Sequence, residues 1–168
     1  PVFAGTREEE FEMRTRGATY VEISTAGGGI LSSVRGVRAA SSEELLRLVL
    51  RRLDRFLELG TTTIEAKSGY GLSTEDELKS LEVLAAARRE HPVEIVSTFL
   101  GAHDVPAEFR AEPARYADLV EREMLPRVAE SGLAEYCDVF VEGHTFGIDA
   151  SRRILDRARS LGFALRIH

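Results

Sequence analysis

Cysteine occurs once in the 168 residues, at Cys137, so no internal disulfide can form and nothing points to an oxidising compartment. No apolar run approaches the roughly 20 residues of a membrane span, and no secretory leader pattern opens the sequence. Basic residues are in deficit: 22 Lys and Arg stand against 28 Asp and Glu, for a formal net charge of -6 and a pI near 5.3. A surface for nucleic acid or anionic lipid needs the opposite balance concentrated on one face, so neither partner is expected and the cytoplasm is the default location. Several catalytic signatures are missing too. Gly27-Gly28-Gly29 is not followed by Gly-Lys-Ser/Thr and is no phosphate loop. There is no His-x-His, no His-Glu-x-x-His and no cysteine cluster.

What is present is the make-up of a globular domain, 43% hydrophobic and 30% charged, with a length that suits one domain over residues 1–168. The chain opens at Pro1 without a Met and stops at His168 inside Phe163 to His168, which reads as a strand in progress, so a piece of a longer protein is expected.

Helix and strand patterns alternate. Arg7 to Gly17 is at best a short, poorly amphipathic helix. Ser41 to Leu59 is the clearest helix: Ser41 and Glu44 make a capping box, and Leu45, Val49, Leu53, Phe56 and Leu57 recur at helical spacing before Gly60. The β-branched run Thr61 to Ile64 then stops in the turn Lys67-Ser68-Gly69-Tyr70-Gly71. A second helix spans Thr74 to Glu90, a second strand Val93 to Leu100, and a third helical region Pro113 to Ser131, which Pro126 should bend or split. A third strand is expected at Asp138 to Glu142, a helix after Asp149, and a fourth strand at Phe163 to His168.

Strands that each lead into a helix make right-handed crossover units with a parallel sheet. Chemistry recurs at every strand end: Lys67, Ser68 and Tyr70, then His103 and Asp104, then Glu142 and His144, then His168. A doubly wound sheet concentrates its site at one crevice, whereas a (β/α)8 barrel of about 250 residues uses all its C-terminal strand ends. The expected fold is therefore α/β, part of a (β/α)8 TIM-type barrel.

Each polar strand end has a plain alternative. His168 closing an apolar strand is more often a hydrogen-bonded core residue than a ligand; His103 and His144 at matching positions raise the reading as part of a Zn²⁺ or Fe²⁺ site, but spacing alone identifies no metal and assembles no complete site. Tyr70 between two glycines stands near even between packing and binding. Lys67 is a Schiff-base or carbamate lysine or, equally, half of an ion pair. Arg7 alone reads as surface charge, and Cys137 as a buried small hydrophobe.

Several stretches together resemble one family: Phe3-Ala4-Gly5-Thr6-Arg7-Glu8, Gly27 to Ser32, Arg38-Ala39-Ala40-Ser41, Lys67 to Leu72, Thr98 to His103, Ser151-Arg152-Arg153 and Ile167-His168 resemble the imidazolonepropionases, metal-dependent amidohydrolases. The resemblance implies a metal-dependent hydrolase barrel with a small flanking β domain in the whole protein. It implies hydrolysis of 4-imidazolone-5-propanoate to N-formimidoyl-L-glutamate in histidine degradation, with one divalent metal, Zn or Fe. On this view His168 is a metal ligand, His103 is catalytic and holds substrate, and Arg7, Tyr70 and more weakly Tyr20 bind substrate. His144 matches no family position and keeps a structural reading. A His-x-His would lie just before Pro1, and a Glu and a late Asp ligand beyond residue 168. The implied partner is a small molecule with a carboxylate; a homodimer is among the allowed assemblies. The alternatives are another cyclic amidohydrolase, hydantoinase- or dihydroorotase-like, or a catalytically incomplete barrel fragment.

Overall fold

The computed structural model describes residues 2–19, 22–23, 27–142 and 145–168. Tyr20 and His144 lie outside the described residues. Four strands, β1 (Thr63–Lys67), β2 (Glu94–Ala102), β3 (Tyr136–Val139) and β4 (Ala164–Ile167), form one parallel sheet in the order β1-β2-β3-β4. Neighbours in sequence are neighbours in space, with no reversal of strand order. That is the arrangement of one wall of a (β/α)8 barrel rather than of a doubly wound sheet.

Helices α1 (Glu8–Thr15), α2 (Ile30–Ala39) and α3 (Ser42–Glu58) precede β1, α4 (Thr74–Glu90) joins β1 to β2, and α7 (Ile148–Ser160) joins β3 to β4. Between β2 and β3 lie a short 3-10 turn (Ala107–Phe109), α5 (Pro113–Leu119) and α6 (Leu125–Ser131). Ser41 caps its helix as the sequence predicts, the serine half of the expected capping box, and Ser73 caps α4 in the same way. Ser41 Oγ accepts from Glu44 N at 3.1 Å, and Ser73 Oγ accepts from Asp76 N at 3.2 Å, so each satisfies an orphan donor of a first turn. Pro126 does split its helix. The residues before it, Val120–Met124, form a π-turn in which Leu125 N–H reaches Val120 O; the widened turn makes room for the proline ring and absorbs its missing donor.

Two differences from the sequence pattern have physical causes. Helix α2 is not announced in the sequence, because Ser32, Ser33 and Gly36 are weak helix formers; burial of Ser33, Val34 and Val37 stabilises it instead. Strand β3 begins two residues earlier than the expected Asp138 to Glu142 and already ends at Val139. Tyr136 and Asp138 point to the polar side of the sheet, and only backbone pairing with Thr98 and Arg166 reveals them as strand residues.

The sheet has two unlike faces. Ala66, Ile95, Phe99, Cys137 and Val139 are buried on the side covered by α4 and α7, where Leu81, Leu84, Ile154 and Ala158 complete the core. Cys137 is the buried small hydrophobe expected, and burial pushes its thiol up to about 12. The opposite face carries Glu65, Lys67, Thr98, Asp138, Arg166 and His168, linked to one another by side-chain contacts across all four strands. Among the described residues, no helix is long and apolar enough to cross a membrane.

Phe99 is fully buried and central to the helix-covered face. Phe99→Ala should lower unfolding free energy by about 3 to 5 kcal/mol, read by urea denaturation.

Candidate active site at the carboxyl ends of the strands

Beyond β1 the chain turns sharply through Ser68 to Leu72, and one carboxylate sets that turn. Glu77, in the first turn of α4, is fully buried and accepts from Gly69 N at 2.8 Å and from Gly71 N and Leu72 N, each at 2.9 Å. Backbone donors converging on an anion in this way form a nest, and the helix N-terminus adds its own positive end. The outer side of the turn is held by Arg38 of α2, whose Nε donates to Gly71 O at 2.7 Å and Nη2 to Leu72 O at 3.1 Å. The two glycines beside Tyr70 therefore serve the turn. Gly69 has φ +99°, and a Cβ on Gly71 would stand 2.6 Å from Asp76.

Tyr70 is thereby aimed over the C-terminal edge of the sheet. Its ring meets His103 edge-on, with centroids 5.2 Å apart, and Phe3 backs it at 6.3 Å. Phe3 is itself fixed by Arg52, whose guanidinium lies 3.5 Å from its ring centroid and donates to Phe3 O at 2.8 Å.

His103 follows β2 directly, and its Nδ1 lies 2.8 Å from Gly69 O. A carbonyl only accepts, so Nδ1 carries the proton. Burial pushes the His103 pKa below its ordinary value of 6.5, outweighing the opposing effect of the Gly69 bond. Near neutral pH the ring is uncharged and presents the Nε2 lone pair.

His168, one residue past β4, completes the group. Its ring lies 6.3 Å from that of His103 and stacks on Phe140 at 5.0 Å, and Nδ1 is 2.9 Å from the buried Asp138 Oδ2. The same oxygen takes Lys67 Nζ at 2.5 Å. Lys67 is thus half of an ion pair, one of the two readings its position allowed. Tyr70, His103, His168, Lys67 and Glu65 share a cavity of about 530 Å³.

Arg7 is not part of that group. It caps α1, where Nε and Nη2 donate to Glu10 Oε2 at 2.8 and 2.5 Å, and it lines a separate cavity of about 360 Å³ with Ser32 and Arg35. Glu142 and Asp104 also lie outside the lining of the larger cavity. Glu77 and Asp138 were not singled out by the sequence. Glu77 had a signal available: it shares a helical stripe with Leu81 and Leu84, a place where a carboxylate is costly unless it is bonded.

A parallel α/β sheet with two imidazoles, a phenol and a buried carboxylate gathered at its carboxyl edge has the arrangement of a fragment of a larger barrel, a class that keeps its ligand sites at that edge. No protein-family model matches the chain. Among individual proteins the similarity is extensive. The chain is 55% identical over 167 residues, 99% of its length, to a Symbiobacterium thermophilum protein named imidazolonepropionase, and covers 39% of that relative. Imidazolonepropionases of Solibacter usitatus and Alkaliphilus metalliredigens are 56% and 50% identical over 100% and 99% of the chain, which covers 40% of each. The chain therefore spans about two fifths of the length of the curated relatives it matches. The whole-chain likeness agrees with the resemblance read from the sequence.

Two predictions follow from this geometry. Glu77→Ala leaves three buried backbone donors without an acceptor and should cost about 3 kcal/mol or more in urea unfolding. For His103, the folded pKa lies below the unfolded value near 6.5, so the unfolded chain takes up the proton first. The stability its neutral form contributes is complete above that pH and is lost as pH falls towards the folded pKa. His103→Gln should flatten the decline of melting temperature between about pH 7.5 and about pH 5, followed by calorimetry.

Proposed function

We propose that this chain is part of a cytoplasmic, metal-dependent hydrolase that opens the cyclic amide of 4-imidazolone-5-propanoate to N-formimidoyl-L-glutamate in histidine degradation. The observation that carries this reading is the convergence of Tyr70, His103 and His168 on one cavity, in a chain 55% identical along 99% of its length to a relative bearing the imidazolonepropionase name. The full (β/α)8 barrel would be completed by the part of the protein that these residues do not include.

A divalent metal, Zn²⁺ or Fe²⁺, suits the donor set. His168 commits Nδ1 to Asp138 and leaves Nε2 for a metal, the division of roles that ligating histidines adopt. Among the described residues, no group of three or more His, Cys, Asp and Glu could hold a metal by itself; on this reading the other ligands come from outside the 168 residues. Bound there, the metal would lower the pKa of a water to about 7 and so supply hydroxide at neutral pH.

The remaining roles fall to this chain's own side chains. Hydrolysis adds the water oxygen to the amide carbonyl carbon, breaks the ring C–N bond and delivers a proton to the leaving nitrogen. The propanoate needs a fork of donors, which Arg7 has; its present grip on Glu10 is that chemistry with a resident carboxylate, which the substrate would displace. Tyr70 offers a phenol as a second donor, and Tyr20 would add a weaker contact. Neutral His103 would accept from a ring N–H through Nε2 and so orient the amide; only its protonated form would donate to the developing oxyanion.

The test is turnover by the full-length protein, followed as formation of N-formimidoyl-L-glutamate. Arg7→Ala should raise KM roughly 10- to 100-fold, the loss of charge-assisted bonds to a carboxylate, with kcat little changed. An unchanged KM would remove Arg7 from the site, and a folded, metal-loaded wild type that forms no product would overturn the function.

A further inference from the structure

Asp138 is an expensive residue in its place. It sits in the middle of β3, its side chain is 0% exposed, and among the described residues its Oδ1 has no hydrogen-bond partner. A carboxylate taken out of water costs several kcal/mol, and one lysine rarely compensates it in full. An apolar residue at this position of β3 would pack at less cost, so stability alone does not account for the choice.

Its contacts suggest what it does. Oδ2 receives both Lys67 Nζ at 2.5 Å, from the end of β1, and His168 Nδ1 at 2.9 Å, from beyond the end of β4. His168 is constrained in two further ways. Its backbone is paired to β3 on both sides, through His168 N to Val139 O at 3.2 Å and Val141 N to His168 O at 2.8 Å. Its ring also lies against Phe140, with an interplanar angle of 23°. The ladder sets where the ring stands and Phe140 sets its plane. Neither decides which nitrogen carries the proton. Among the described residues Asp138 does that: an ionised carboxylate accepts, so it selects the Nδ1–H form and leaves the Nε2 lone pair for a ligand.

We infer that Asp138, anchored by Lys67, is a positioning residue that fixes His168 in the Nδ1–H form and so presents Nε2 as a ligand to a divalent metal. The inference rests on the reading of His168 as a metal ligand given above. Lys67 supplies the counter-charge that keeps the carboxylate in place; it is not itself a reacting amine. The polar inner face then has a purpose that an apolar barrel interior could not serve: it carries orientation from the β1 end of the sheet to the β4 end.

The experiment compares wild-type full-length protein with Asp138→Asn, Lys67→Met and His168→Ala. Binding of Zn²⁺ is measured by chelator competition, and the Co²⁺-substituted forms are compared by visible absorption. Asp138→Asn should weaken Zn²⁺ binding about 10- to 100-fold, the usual consequence of losing such an outer partner, and should shift the Co²⁺ bands. Its metal-free melting temperature should stay close to wild type. Lys67→Met should weaken binding less, and His168→Ala more than either. Wild-type Zn²⁺ affinity in Asp138→Asn, with affinity lost in His168→Ala, would overturn the positioning role and leave the ligand reading intact. Wild-type affinity in His168→Ala would sink the ligand reading itself. Should Asp138→Asn fail to fold, histidine ¹⁵N shifts of the metal-free wild type decide: a neutral His168 ring protonated at Nε2 would refute the inference, and one protonated at Nδ1 would uphold it.

Discussion

The mouth of this sheet takes its shape from a carboxylate that never meets water. Glu77 lies inside the first turn of α4 and binds the backbone of the preceding loop by three N–H groups, so helix and loop form one unit. A buried anion without such donors would be prohibitive; with them it becomes a constraint on where the chain can go. The loop must curl tightly enough to surround the carboxylate, which requires glycine at 69 and 71 and leaves Tyr70 as the one side chain facing outward between them. Gly69 O in turn accepts from His103, so the same curl settles which nitrogen of that imidazole is protonated. From one buried charge the arrangement runs through a backbone turn to the rings of Tyr70 and His103 in the cavity wall.

A second principle governs the other end of the cavity. Barrel interiors are ordinarily filled by branched apolar side chains in layers, yet this face is built from Glu65, Lys67, Thr98, Asp138 and Arg166. Ion pairs of this sort contribute little net stability, because desolvation offsets most of the attraction. Their value is directional. Lys67 and His168 stand on opposite edges of the four strands and meet at a single oxygen of Asp138, which fixes both more narrowly than apolar contact would. The helix-covered face, by contrast, is where stability resides, in the fully buried Phe99, Ile95, Leu81 and Leu84. Stability and chemistry are thus divided between the two sides of one sheet.

The alternation of strands and helices, the cap at Ser41, the break at Pro126 and the placing of His103, Tyr70 and His168 at strand ends were all legible in the amino-acid order. They depend on periodicity, on turn chemistry and on residues next to one another, which a sequence displays directly. What it could not display was pairing between distant residues. Asp138 resembles any polar position in a half-buried strand until Lys67, 71 residues earlier, and His168 are brought to it. Helix α2 has no periodic signature and exists because Ser33, Val34 and Val37 find a core to enter. Local chemistry determined which groups this protein possesses and roughly where along each strand they fall. Only tertiary structure decided their partners, and with them which imidazole nitrogen is free and whether Lys67 is a nucleophile or a counter-ion, because those properties belong to contacts across the sheet and not to positions along the chain.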